Sequence, residues 1–347
     1  MRLLFWYSGE HEELPKAEAQ AVFEAHGHSF EVVADRPKFH VVETDAFGVD
    51  VDAIVRRLGL THDVSSHLFD GVLDEKSVAE AADLCCFATG IRFAVRADRV
   101  VAGTAGLRRT EVERRVGDAL ANRRHVDLKR PDVIVRAFLD GDRVWVGQRM
   151  WDRDPKETAQ RNPKKRPEFS PISLPPKLAR ALVNLAHVPA GGVVYDPLCG
   201  TGGVLLEAAS MGLRVIGSDL DEAMVKATQA NLRHYGFAAL GLFTADAGVV
   251  AEELARRRLP LPDAIVSDLP YGRSAYTGKE SIDRLYERVF NAMAKAIRPG
   301  GFVVAGVPSQ DAASRATGGL DPVRIFKVRV HRSLTRHFAV LRRPANA

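Results

Sequence analysis

Residues 193–203 read VVYDPLCGTGG, a short apolar run that leads into an aspartate and a turn with three glycines. This order predicts a β-strand followed by a glycine turn, as at the ligand-binding edge of doubly wound sheets. A second segment, DLPYG at residues 268–272, follows the apolar run 264–266 and predicts the carboxyl end of another strand. Since ligands bind beyond the carboxyl ends of such strands, the two segments predict two halves of one site.

Around these segments, strand-like and helix-like patterns alternate from Pro171 onward, which predicts a parallel α/β sheet covered on both faces. The predicted strands are 193–195, 214–217, 240–244, 264–266 and 301–307, with helices at 222–234 and 283–297. Two final apolar runs, 323–330 and 337–341, flank the segment HRSLTR. They predict a closing hairpin that adds one antiparallel strand to a Rossmann-like sheet.

The N-terminal half has a different pattern. Residues 1–72 show the order strand-helix-strand-strand-helix-strand, which is typical of an α+β ferredoxin-like domain. Residues 73–150 predict a second α+β domain with a basic helix near 108–122 and a hairpin turn at Asp140-Gly141. Residues 151–170 are charged and interrupted by proline, and they predict a linker to a C-terminal domain at 171–347.

The composition limits the classes of function. Lys and Arg outnumber Asp and Glu by 13 to 7 between residues 121 and 166, and this local excess is typical of nucleic-acid binding, although a solvated face with a linker would also explain it. Cys85 and Cys86 are adjacent in the chain and are therefore poor disulfide partners by geometry. No CxxC spacing in the sequence predicts a metal site. No apolar run approaches the roughly 20 residues of a membrane span, so we expect a cytoplasmic protein.

Four aspartates, Asp196, Asp219, Asp246 and Asp268, each follow an apolar run and are expected at one sheet edge. Their repulsion would favour a cationic or hydrogen-bond-donating ligand. A nicotinamide dinucleotide would need a third glycine where the chain has Leu205. The pattern instead predicts S-adenosylmethionine, which has no phosphate.

In that interpretation Gly200 and Gly202 allow close backbone approach, and Asp219 accepts from the ribose hydroxyls. Asp196 faces the ammonium of the methionine part, and Asp246 with Ala247 faces the adenine amine. The full predicted cofactor set is Ser173, Asp196, Leu198, Cys199, Gly200, Thr201, Gly202, Asp219, Leu220, Asp246, Ala247 and Asp268.

The segment DLPYG predicts the methyl acceptor. The amine of an aromatic base is a poor nucleophile because its lone pair is delocalised, and two acceptors on its N–H bonds would redirect that lone pair. The Asp268 carboxylate and a carbonyl of Leu269 or Pro270 are candidates, and Asp268 can also receive the proton. Tyr271 offers a stacking face for the base. These four residues form the predicted catalytic set.

The same motifs carry a family resemblance. The C-terminal half resembles amino-methyltransferases with a (D/N)PPY motif, although Leu269 replaces the first proline. RPEFSPISLPPKLARALVNLA, from Arg166, resembles the segment that helps to hold the methionine end of the cofactor in tRNA guanine-N2 methyltransferases. HVDLKRPDVIVRAFLDGDRVWVGQ, from His125, resembles a THUMP RNA-binding domain. DLPYGRS and HRSLTR are similar to archaeal enzymes that dimethylate N2 of guanine 10 in tRNA.

The resemblance implies a monomeric enzyme that forms N2-methyl- and then N2,N2-dimethylguanosine in tRNA, with the acceptor end on the THUMP domain. Three alternatives stay open: a relative acting at guanine 6, which usually has Asn in place of Asp268, an N6-adenine DNA methyltransferase, and a non-catalytic tRNA-binding protein. The predicted RNA contacts are Arg108, Arg109, Arg123, Arg124, Lys129 and Arg273.

Overall fold

The computed structural model describes residues 1–72, 90–100, 108–121, 124–171, 173–270, 281–315, 317–331 and 334–345. Its contacts divide the chain into two compact units. The first unit comprises Met1–Glu12, His28–Arg56 and Thr61–Arg153, and the second comprises Glu13–Gly27, Arg57–Leu60 and Asp154–Ala347.

The N-terminal half contains eight strands and three helices among the described residues. The strands are β1 (Arg2–Tyr7), β2 (Glu31–Arg36), β3 (Phe39–Glu43), β4 (Thr61–Val72), β5 (Arg92–Arg99), β6 (His125–Val126), β7 (Val133–Asp140) and β8 (Arg143–Asp152). The helices are α1 (Leu14–Ala25), α2 (Val49–Val55) and α3 (Arg109–Leu120). The predicted order of elements in residues 1–72 is therefore confirmed.

The first unit is built on one continuous sheet, in the order β2-β3-β1-β4-β8-β7-β5-β6. The long strands β4 and β8 pair antiparallel from Asp63↔Asp152 to Val72↔Arg143, and this pairing joins the two predicted N-terminal domains edge to edge. Helix α3 contributes Val112, Val116 and Leu120 to the core of the second half. The boundary at residues 72 and 73 stays a prediction.

The second unit contains the remaining strands and helices. The strands are β9 (Val193–Asp196), β10 (Arg214–Asp219), β11 (Gly241–Thr244), β12 (Ala264–Asp268), β13 (Phe302–Val307), β14 (Asp321–His331) and β15 (Leu334–Arg342). The helices are α4 (Pro155–Gln160), α5 (Pro176–Leu185), α6 (Gly203–Ser210), α7 (Glu222–His234), α8 (Val250–Arg256), α9 (Ile282–Ala296) and α10 (Gln310–Arg315). Within the described residues, no helix is both long and apolar enough to span a membrane.

These strands form a seven-stranded sheet in the order β11-β10-β9-β12-β13-β15-β14. Strands β9 to β13 pair in parallel, and β15 runs antiparallel to both β13 and β14, which confirms the predicted Rossmann-like sheet and its closing hairpin. Val194 joins the hydrophobic cluster on one face of the sheet, whereas Val193 and Tyr195 join the cluster on the other. The sheet is therefore covered on both sides, as alternation along a strand requires.

The predicted linker, residues 151–170, is ordered and partly buried. It contains the end of β8, helix α4 and a 3₁₀ turn at Pro163–Lys165. Arg161 and Arg180 both contact Glu207, at 2.8 and 3.2 Å, and the Glu207 side chain is fully buried. Because a buried carboxylate is costly without a partner, this pairing explains why a charged segment is packed within the second unit.

Helix α1 lies in the second unit by its contacts, although it is encoded within the predicted N-terminal domain. Its Glu18 is fully buried and accepts hydrogen bonds from Gly59 N at 2.7 Å, Leu60 N at 2.9 Å and Asn184 Nδ2 at 2.8 Å. Burial raises the pKa of Glu18, and these donors oppose that shift. One side chain thus connects α1, residues 57–60 and α5.

We expect Glu18→Ala to lower the free energy of unfolding by at least about 2 kcal/mol, because three buried donors would lose their acceptor. Urea denaturation with fluorescence detection would measure the change. Gln20→Ala is the matched control, since Gln20 is exposed on the same helix. Equal stability of the two variants would contradict a structural role for the Glu18 carboxylate.

Candidate active site

The carboxyl ends of four neighbouring strands define the candidate site. Asp196, Asp219 and Asp268 are the last residues of β9, β10 and β12, and Asp246 follows β11 by two residues. Because these strands are adjacent and parallel, the structure brings all four aspartates to one edge of the sheet, as predicted.

Asp196 is the most buried of the four, with 2% of its surface exposed. It accepts hydrogen bonds from Ser267 Oγ at 2.7 Å and from the Leu198 backbone N–H at 3.1 Å. Burial raises its pKa to about 7, and the charges of Asp219 and Asp268 add to the effect. A cation beside Asp196 would therefore be stabilised by its carboxylate.

The glycine turn between β9 and α6 needs glycine for two reasons. Gly200 and Gly202 have φ of +52° and +80°, which favour residues without a side chain. An added Cβ at Gly202 would also lie 2.9 Å from Thr228 Cγ2, whereas one at Gly200 would meet nothing within 4 Å. Open space therefore faces the turn at Gly200.

Two buried polar residues of α7 hold this turn, and sequence reasoning missed them. Thr228 Oγ1 donates to Gly200 O at 2.7 Å, and Asn231 Nδ2 donates to Thr201 O at 2.9 Å. Both side chains are fully buried, and their spacing of three places them on one helix face. The sequence signal that could have identified Thr228 and Asn231 is the presence of polar residues on the buried face of an amphipathic helix.

The segment before α5 lies against the same turn. Asn231 exchanges hydrogen bonds with the backbone of Glu168, at 3.0 and 2.9 Å. The predicted residue Ser173 lies 3.1 Å from Thr201, hydroxyl to hydroxyl. Phe169, between these two contacts, is 51% exposed. This segment thus presents an apolar side chain and a hydroxyl beside the glycine turn.

Three further residues of the predicted set differ in exposure. Cys199 is buried, and burial raises the pKa of its thiol, so it remains a neutral packing group. Leu198 is partly buried, and Leu220 is 53% exposed next to Asp219. Asp219 itself accepts from the backbone N–H groups of Gly200, at 2.8 Å, and Asp221, at 3.1 Å.

Asp246 is paired with an arginine that sequence reasoning did not find. Its Oδ1 accepts from Arg288 of α9 and from Gly248 N at 2.6 Å. Burial opposes ionisation of Asp246, but the hydrogen bonds from Arg288 and Gly248 N, together with the charge of Arg288, outweigh it and lower the pKa. An added Cβ at Gly248 would overlap the Arg288 guanidinium, so a larger residue there would displace the arginine from its present position. Ala247 is buried.

At the second motif, Leu269 is 1% exposed, and its N–H donates to Gly306 O at 3.1 Å. The Pro270 carbonyl accepts from the Tyr286 hydroxyl at 2.7 Å. Asp268 Oδ2 lies 3.1 Å from Arg336 Nη1 of β15. The predicted residues Tyr271 and Arg273 lie outside the described residues.

The predicted RNA contacts that the structure describes lie at different places in the first unit. Arg108 and Arg109 are exposed at the start of α3, whereas Arg124 follows its end, about 18 Å away for a helix of this length. Lys129 is exposed beyond β6, and Arg123 is outside the described residues. In the described part of the chain, no group of three or more His, Cys, Asp or Glu side chains could hold a metal ion.

Comparison with known proteins identifies both halves of the chain. A family model described as "RMKL-like, methyltransferase domain" matches residues 163–337, and one described as "THUMP domain" matches residues 75–148. The tRNA (guanine(10)-N2)-dimethyltransferase of Methanothermobacter thermautotrophicus is 34% identical over 99% of this chain and 100% of its own.

Two further matches, one in sequence and one in structure, come from Thermus thermophilus. The tRNA (guanine(6)-N2)-methyltransferase is 35% identical over 56% of each chain. The crystal structure of TrmN matches with a TM-score of 0.56 and 25% identity, over 99% of this chain and 100% of that one. The resemblances to THUMP and methyltransferase domains are thus confirmed.

We expect Gly202→Ala to destabilise the protein more than Gly212→Ala does. The two glycines have similar φ, +80° and +78°, but only at Gly202 would the new methyl group meet a neighbour, Thr228. The difference in unfolding free energy should be about 1–2 kcal/mol, the usual cost of overpacking. Thermal or urea unfolding of both variants measures it, and equal losses would show that backbone conformation alone requires glycine at position 202.

Proposed function

The chain belongs to the family of archaeal tRNA (guanine(10)-N2)-dimethyltransferases, and on that premise we propose that it methylates N2 of guanine 10 in tRNA with S-adenosylmethionine. The products are N2-methylguanosine and then N2,N2-dimethylguanosine. One observation carries the proposal: Asp268 lies on the same sheet edge as Asp196, Asp219 and the glycine turn. An acceptor for an amine is therefore next to a site for a cationic cofactor.

The residues of this edge fit S-adenosylmethionine. The open space at Gly200 leaves room for the cofactor close to the protein backbone. The Asp219 carboxylate is a suitable acceptor for the hydroxyls of a ribose. Leu220, exposed beside it, offers an apolar contact for the adenine. When bound, the cofactor supplies an electrophilic methyl group on a sulfonium sulfur.

The charged and polar groups of the site also fit S-adenosylmethionine. Asp196 is buried and has a raised pKa, so the ammonium of a methionine group beside it would favour its ionised form. Ser173 and Thr201 present hydroxyls near the same turn and can bind the polar end of that group. The pairing with Arg288 is on Asp246 Oδ1, which leaves Oδ2 as the acceptor for the adenine amine.

Methyl transfer requires the guanine amine to present its lone pair. The Asp268 carboxylate and the Pro270 carbonyl can accept hydrogen bonds from the two N–H groups of this amine. Accepting both hydrogen bonds takes the lone pair of the nitrogen out of conjugation with the ring. The Tyr286 hydroxyl takes one lone pair of the Pro270 oxygen, and a carbonyl oxygen has two. On transfer the nitrogen loses one proton, and the Asp268 carboxylate can receive it.

The first unit supports tRNA as the substrate, because the THUMP family model matches residues 75–148 within its span. Arg109 and Lys129 are exposed on this unit, on different elements. Basic side chains on separate segments of the unit suit an extended phosphate backbone better than a small ligand. We propose that this unit binds the acceptor end of tRNA, with one protein chain acting on its own.

Guanine 10 is preferred to guanine 6 as the target because the relative acting at guanine 10 matches the full length of the chain, whereas the relative acting at guanine 6 matches 56% of it. The aspartate at position 268 agrees with this choice, since the resemblance associates asparagine with enzymes acting at guanine 6.

We expect Asp268→Ala to reduce the single-turnover rate at least about a hundredfold, because the variant loses the acceptor for the amine and its proton. Calorimetry should show nearly unchanged affinity for S-adenosylmethionine. Asp321→Ala is the control, since Asp321 is exposed at the start of β14, at the opposite end of the sheet. A variant at position 268 that retained more than about a tenth of the rate would refute the assigned role.

We expect monomethylated guanine to accumulate before dimethylated guanine. After the first transfer the amine has one N–H left and can satisfy only one of the two acceptors, so the second transfer is slower. Mass spectrometry of nuclease digests over a time course would follow both products. Modification at guanine 6, or a reaction that stops at one methyl group, would refute the assigned target or product and leave the enzyme class intact.

A further inference from the structure

The carboxylate of Asp268 lies across the neighbouring strand rather than over its own. In the parallel pairing of β12 with β13, Asp268 is directly opposite Gly306. An added Cβ at Gly306 would lie 2.2 Å from Asp268 Oδ1 and 3.2 Å from the Phe338 ring. Glycine inside a strand is otherwise unfavourable, so its presence here marks a close approach. We call this space the Gly306 gap.

Arg336 meets the other oxygen of the same carboxylate. It lies on β15, two residues before Phe338, the register partner of Gly306, and therefore on the same face of the sheet as that ring. Its Nη1 is 3.1 Å from Asp268 Oδ2, and its side chain is 7% exposed. The ion pair thus joins β12 to β15 across β13, through the Gly306 gap.

We propose that Arg336 is a positioning residue for methyl transfer: through the Gly306 gap it holds the Asp268 carboxylate ionised and oriented to accept the guanine amine. The inference rests on the proposed function, because it assigns to Arg336 an effect on the group that contacts the base. Arg336 itself does not contact the reacting atoms in this proposal.

The electrostatic surroundings of Asp268 explain why a cation is needed. Asp196 lies on the neighbouring strand β9, and Tyr286 faces the motif from α9. Burial raises the pKa of both groups, and the charge of Asp268 adds to each shift. The ionised form of Asp196 repels the Asp268 carboxylate in turn, and a protonated carboxyl would have one acceptor oxygen fewer for the amine. Arg336 is the described cation that opposes this effect at Asp268.

A cation at this distance lowers the pKa of a carboxyl by about one to three units. Its removal should therefore move the acidic limb of the rate profile to higher pH. A lysine in its place would keep the charge and lose the planar geometry. An alanine at position 306 would close the gap and separate the pair while leaving the arginine in the chain.

The experiment compares Arg336→Gln, Arg336→Lys and Gly306→Ala in the full-length enzyme. Single-turnover methylation of transcribed tRNA is measured from pH 4.5 to 9, together with the melting temperature and the affinity for S-adenosylmethionine. Arg342→Gln is the matched control, since Arg342 is on β15 at the opposite end of the strand and pairs with Phe302.

We expect the acidic limb of the profile to rise by about one to two pH units in Arg336→Gln and Gly306→Ala, and by less in Arg336→Lys. The rate on the plateau should fall about tenfold or more in Arg336→Gln because the carboxylate is less well oriented. Cofactor affinity should stay the same, and Arg342→Gln should behave as the unaltered enzyme.

An unchanged acidic limb in folded Arg336→Gln and Gly306→Ala would overturn the proposal, as would a faster reaction in either variant. If Arg336→Gln does not fold, the comparison of Arg336→Lys with Gly306→Ala decides, since only the first retains a cation beside Asp268. Failure of the proposed function is distinguishable, because the unaltered enzyme would then leave guanine 10 unmethylated at every pH, whereas failure of this inference leaves that methylation and its pH profile unchanged in the variants.

Discussion

Repulsion between four carboxylates at one sheet edge is the constraint on which the rest of the site depends. Each aspartate is accommodated differently. Asp196 is buried and takes a raised pKa, and Asp219 accepts backbone N–H groups. Asp246 and Asp268 each pair with an arginine, Arg288 and Arg336. In two of the four cases a glycine makes the arrangement possible, because Gly248 leaves space for the arginine and Gly306 leaves space for the carboxylate.

The strand ends of this site could be predicted from the sequence because their signal is local: an apolar run, then aspartate, then glycine or proline. The arginine partners could not, because they depend on the order of strands in the sheet. Arg336 reaches Asp268 only because β15 lies beside β13, and Arg288 reaches Asp246 only because α9 packs near the end of β11. The glycine inside β13 was a visible signal, but its meaning required the neighbouring strands.

The same limit applies to the linker and to α1. A charged, proline-interrupted segment predicts a loop when its partners are unknown, yet Arg161 contacts the buried Glu207 of α6. Helix α1 was recognised as a helix from its apolar spacing, but its packing against α5 depends on the hydrogen bond between Glu18 and Asn184. Sequence patterns therefore predicted the elements reliably and the contacts between distant segments poorly.

The hydrogen bonds of Glu18 also constrain the order in which the protein can be completed on the ribosome. Synthesis proceeds from the N-terminus, and domains generally fold as they emerge. Helix α1 leaves the ribosome long before Asn184 is made, so its apolar face waits for α5, and its carboxylate can meet only Gly59 and Leu60, while the whole first unit is synthesised. In the nascent chain, the apolar face of α1 therefore lacks its final partner until α5 appears.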